Sequence, residues 1–139
     1  MIPQPVITPI PDSGGQAMLC VDFFIKLPLC GRGLLVAKGF QTDGASIPEP
    51  VWSIIDCTPF DPDTLAAAIV HDALYASEIL PREDADKEFE ELLKRNSRKG
   101  SGLHWIFFEA VRIGGSHVWA NHTPQSVADA RRFVSLSES

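Results

Sequence analysis

The stretch Asp61-Pro-Asp-Thr-Leu-Ala-Ala-Ala-Ile-Val-His71-Asp72-Ala-Leu-Tyr75-Ala-Ser77, joined through Glu78-Ile-Leu80 to Pro81-Arg-Glu-Asp-Ala-Asp86-Lys-Glu-Phe89-Glu-Glu-Leu-Leu93, decides the fold. Asp61 suits an N-cap, Pro62 the first helical position and Asp63 the positive end of the dipole, so a helix is expected from there through Ser77. Pro81 opens a second helix to about Ser97, which closes among Arg95, Arg98, Lys99 and Gly100, residues that suit a helix C-terminus. So short a link predicts antiparallel neighbours.

Within this pair, His71 and Tyr75 lie four residues apart and share a face, while Asp72 points about 100° away. Asp86 shares a face of the second helix with Phe89 and Leu93, and Glu83, Glu88, Glu90 and Glu91 fall largely outside it. An inward carboxylate must be paired, and His71 and Tyr75 are the available donors. A carboxylate that holds one imidazole nitrogen leaves the other to take a proton from water, which makes a general base. Asp72 would instead bind a hard cation that polarises a carbonyl, with Asp43 or backbone oxygens of Thr42 to Ser46 completing the shell. Against this stands a plainer reading: a satisfied polar network that ties two helices together.

Upstream of the pair, residues 1–15 carry Pro3, Pro5, Pro9 and Pro11 and then Asp12-Ser-Gly-Gly15, which suits an extended arm with little core. The apolar run Ala17-Met-Leu-Cys-Val-Asp-Phe-Phe-Ile-Lys-Leu27 and Leu34-Leu-Val-Ala-Lys-Gly-Phe40 read as a β-hairpin over 17–40. Residues 41–60 read as a loop, with a short helix expected from Glu49 to Ile55. Downstream, Leu103 to about Ala120 keeps helical apolar spacing and is expected to be the most buried helix. Thr123-Pro124 starts a short polar helix to about Val134, followed by a frayed serine-rich end. The expected class is α+β in one domain over 1–139: a β-hairpin or small antiparallel sheet packed on a bundle of three main helices within 61–134, an antiparallel pair of which carries the site.

A chain of 139 residues is the size of one domain. Eighteen acidic against twelve basic residues give net charge −6, so the overall field repels phosphate backbones and nucleic acid is not an expected partner. Cys20, Cys30 and Cys57 lack metal-site spacing and read as reduced, buried thiols. No signal-peptide pattern or membrane-length apolar run occurs, so the protein is expected in a cytoplasm, or packaged into a particle assembled there. His104, His117 and His122 match no two-ligand helical spacing and read as surface or capping residues. Thr42, Gly44 and Ser46 are turn formers first and a substrate loop second; Ser46 lacks a nucleophile-elbow context.

Two resemblances add to this. Lys38-Gly-Phe-Gln-Thr-Asp-Gly-Ala-Ser-Ile-Pro48 with Trp52, then His71-Asp-Ala-Leu-Tyr75, then Arg82-Glu-Asp-Ala-Asp86, resembles the domain-of-unknown-function family 1353, common in bacteriophages and prophages, over roughly residues 18 to 120. His71-Asp72-x-x-Tyr75 with Ala85-Asp86 is remotely similar to the catalytic helices of phospholipase A2, especially the disulfide-free version in parvovirus capsid proteins. That likeness implies His71 as general base, Asp72 as calcium ligand, Asp86 as the acid that orients the histidine and Tyr75 as its hydrogen-bond partner. The glycine-rich calcium loop of those enzymes is replaced here by Phe40-Gln-Thr-Asp-Gly-Ala-Ser46.

Three functions are therefore in view. One is a metal-assisted hydrolase of phospholipase A2 type, acting on lipid or another ester, with calcium as the implied cofactor. Another is a phage virion, tail or assembly protein that uses the helix pair as a scaffold and docks its proline-rich arm on phage structural proteins. The last is a cell-wall peptidase or amidase.

Overall fold

The alanine-rich run at Leu65–Ser77 forms helix α1, buried along nearly its whole circumference, with Asp72 and Ala76 as its half-buried positions. A helix apolar all round belongs at the centre of a core, and α1 touches helices on two sides and a sheet on a third. The structure, a computed structural model, describes residues 3–12, 16–42, 65–96 and 119–138. Among them the chain has an α+β architecture of two small antiparallel sheets and three helices.

Helix α2, Arg82–Asn96, lies against α1. It buries Ala85, Phe89, Leu92 and Leu93, a helical stripe whose larger side chains each contribute about 1.5–3 kcal/mol on leaving water. Its outer face carries ion pairs at i,i+4, Glu83 to Lys87, Glu90 to Lys94 and Glu91 to Arg95. Glu83 and Asp84 at its start and Lys94 and Arg95 at its end complement the dipole. One expectation fails here. Glu88, placed outside the inward face by spacing, is 2% exposed, and its carboxylate accepts from the amides of Leu29 and Cys30 at 3.1 and 2.8 Å. Those two backbone donors supply the pairing that a buried carboxylate requires.

Strands β1 (Ile7–Pro9), β2 (Ala17–Leu19) and β5 (Gln41–Thr42) make one sheet in the order β1-β2-β5; β3 (Phe23–Lys26), β4 (Gly33–Val36) and β6 (Val134–Leu136) make the other in the order β3-β4-β6. The hairpin is real for β3 and β4, which pair Phe23 with Val36 and Lys26 with Gly33. Its first half is corrected, because the apolar run from Ala17 splits into two strands of different sheets. At the break Cys20 to Asp22 are exposed, and the Asp22 carboxylate accepts from the Lys38 amide at 2.8 Å. The proline-rich arm also contributes more than expected: Ile7–Pro9 is an edge strand on β2, and Ile7 packs on the core. Edge position is where a strand tolerates proline.

The C-terminal part is corrected as well. Helix α3 is Pro124–Ala130, held by a capping box in which Thr123 and Ser126 exchange side-chain and backbone bonds. Beyond it Val134–Leu136 is not helix but strand, paired Leu35 to Ser135, with Val134 buried and Ser137 tied to Gly33 through both backbone and side chain. Cys20 and Cys30 are free, as expected, but exposed rather than buried. The predicted helix at 49–55, Cys57 and most of the predicted helix at 103–120 lie outside the described residues, of which 119–120 are helical.

Candidate functional site

One turn of α1 separates His71 from Tyr75, and their rings stack at 4.0 Å between centroids. Helix α2 brings Asp86 up to both. Its Oδ1 lies 2.8 Å from His71 Nε2 and accepts the Tyr75 hydroxyl at 2.6 Å. Phe89, one turn further along α2, packs on the other side of the imidazole at 4.8 Å, and Trp119 stands edge-on to Tyr75 at 5.2 Å. The cluster thus has aromatic walls and a carboxylate floor.

Burial sets the electrostatics. Asp86 is 0% exposed and His71 7%. For His71, loss of solvent is the largest influence and lowers its pKa below the usual 6.5, while the bond to Asp86 pushes back and the Arg82 charge adds to the lowering. Burial alone would raise the Asp86 carboxyl; the hydrogen bonds from His71 and Tyr75 outweigh it and hold the group below its ordinary range. Tyr75 is raised well above 10, first by burial and then by the carboxylate it faces. An ionised Asp86 facing a neutral imidazole places the ring proton on Nε2. Nδ1 is then the basic atom, and among the described residues it makes no hydrogen bond.

Asp72 is next in sequence but points elsewhere. Its Oδ2 accepts from Thr42 Oγ1 at 2.5 Å, so α1 joins the site on one face to strand β5 on another. Carboxylate and hydroxyl oxygens are donors that suit a hard cation such as calcium, which takes six to eight of them. Among the described residues no group of three or more His, Cys, Asp or Glu stands in position to hold a metal. Asp43, Gly44 and Ser46, the other expected contributors, lie outside the described residues.

Two participants, Arg82 and Trp119, were not anticipated from spacing. Arg82, in the first turn of α2, donates Nε–H to the Tyr75 hydroxyl at 3.1 Å. Its position four residues before Asp86 was the available signal, since that puts it on the same face. Phe89, expected on the Asp86 face of its helix, and Trp119 both wall the site. His122 pairs with the Glu78 side chain at 3.1 Å beyond Trp119, just past the end of α1. His104 and His117 lie outside the described residues.

A family model described as "Protein of unknown function (DUF1353)" matches residues 23–111, well over half the chain and inclusive of the whole His71, Tyr75, Arg82 and Asp86 cluster. No curated protein and no solved structure matches the chain significantly. No helix among the described residues is long and apolar enough to cross a membrane.

Proposed function

The chain belongs to the DUF1353 family, and for this member we propose a hydrolase of phospholipase A2 type that cleaves an ester by general-base activation of water. The observation that carries the proposal is the His71 to Asp86 bond through Nε2, which leaves Nδ1 as the basic nitrogen of a neutral imidazole. Nδ1 would take a proton from water as its oxygen bonds to the acyl carbon; the acyl–oxygen bond then breaks, and the imidazolium returns that proton to the leaving alkoxide. Asp86 orients the ring and stabilises its transient charge, and Tyr75 fixes Asp86. The resemblance of His71-Asp72-x-x-Tyr75 and Ala85-Asp86 to the phospholipase A2 helices supports the same assignment. Asp72 and Thr42, with Asp43 as a further candidate, would hold a calcium ion, whose contribution when bound is to polarise the ester carbonyl.

The test uses purified protein and phosphatidylcholine–phosphatidylglycerol vesicles, with and without calcium. Fatty acid release is expected, falling about 10²–10⁴-fold in His71→Ala with the circular dichroism spectrum unchanged. An absence of turnover on any acyl ester or amide sinks the proposal; turnover on cell-wall amides alone would redirect it to a peptidase or amidase.

A second reading is favoured by the depth of the network. With His71 at 7% exposure and Asp86 at 0%, the same cluster would serve as a helix-to-helix lock in a phage virion or assembly protein. Retention by a tail or capsid component, with edge strand β1 required for it, is what that reading expects.

A further inference from the structure

The proposed chemistry leaves the Arg82 guanidinium without a role, although it is bonded into the cluster. An arginine N–H can only donate, so Tyr75 Oη must accept at that contact, and the single phenolic proton is left for Asp86 Oδ1 at 2.6 Å. The four groups form one directed chain: Arg82 to Tyr75, Tyr75 to Asp86, and His71 Nε2 to the same carboxylate oxygen at 2.8 Å. We propose that Arg82 is the positioning residue of this site, directing the Tyr75 proton onto Asp86 and so fixing the carboxylate that holds His71 by Nε2.

Among the described residues the other polar contacts near the cluster are separate from this directed chain: Asp72 is turned to Thr42, and His122 beyond Trp119 is paired with Glu78.

This role rests on the general-base reading only for its purpose, and it is measured without any substrate. The tautomer of His71 and the exchange of the Tyr75 hydroxyl proton are read by NMR at neutral pH in the full chain for the wild type, Arg82→Lys and Arg82→Met, with Arg82→Leu as a second side chain without a donor if the methionine variant does not fold. In Arg82→Met the share of His71 carrying its proton on Nε2 is expected to fall, and in Arg82→Lys, which keeps a donor, to stay near the wild-type value. The Tyr75 hydroxyl proton, held on Asp86 in the wild type, should exchange several-fold faster in Arg82→Met. An unchanged tautomer or an unchanged exchange rate in Arg82→Met overturns the proposal, as does an equal change in Arg82→Lys, which would mark a packing effect. A protein that shows the expected shifts yet hydrolyses nothing would overturn the hydrolase reading alone.

Discussion

Asp86 is the residue whose loss should be felt most, because a carboxylate without solvent depends wholly on its donors. Asp86→Asn keeps the volume and removes the charge, and should cost about 1–3 kcal/mol in urea unfolding at neutral pH. Tyr75→Phe, which removes one donor of that carboxylate, should cost about 1 kcal/mol. A destabilisation of Asp86→Asn smaller than that of Tyr75→Phe would contradict the network's arrangement. Asp86 was legible in the sequence because an acid on a stripe with Phe89 and Leu93 can face only the neighbouring helix. Glu88 was not, since its partners are backbone amides nearly sixty residues upstream, and amides leave no mark in a sequence.

At the scale of elements, Glu88 is a tether between α2 and the β3–β4 turn. Removing it in Glu88→Ala leaves the Leu29 and Cys30 amides without their acceptor, at an expected cost of about 1–3 kcal/mol. Hydrogen exchange at those two amides should accelerate more than at Phe23 to Lys26, whose ladder stays intact; uniform acceleration would instead mean global destabilisation. A similar long-range cap ends α1. Arg131 Nε donates to the Ser77 carbonyl at 2.7 Å, a cation placed where the helix dipole favours it. Helices were legible to within a residue or two where caps and prolines were local, as at Pro81 and Ser77. Strands were less so. Val134-Ser-Leu136 alternates as a strand should, but three residues carry too little pattern to declare an element until β4 is seen to need a partner.

For the molecule as a whole, the titrating groups of the cluster give stability a defined dependence on pH. His71 has a folded pKa below 6.5, so the unfolded chain binds the proton first, and stability falls as pH drops from 6.5 towards the lowered value. Asp86 lies below 3.8 when folded, and its contribution, present above 3.8, is lost as pH falls through the lower folded value. Tyr75 is raised above 10, so the unfolded chain ionises first and stability falls as pH rises beyond 10. Thermal unfolding midpoints should therefore hold steady above 6.5 and below 10 and decline on either side. In His71→Gln the loss that begins just under 6.5 should vanish while the more acidic one remains. A slope near 6 that persists in that variant would assign it to another group.

The position of β6 has a consequence in time. β4 is flanked by β3, its neighbour in the chain, and by β6, about a hundred residues later, so during synthesis the sheet must wait unfinished until Leu136 has left the ribosome. Arg131, which closes the end of α1, arrives in the same late segment. Helices α1 and α2 can pair early through local contacts, whereas the non-local strand pairing carries the larger entropic delay. The His71 to Asp86 contact would then form before the sheet is complete, and a nascent chain stalled near residue 130 would hold the cluster between its helices while β4 still presents an open edge, the state in which this molecule is most exposed to aggregation.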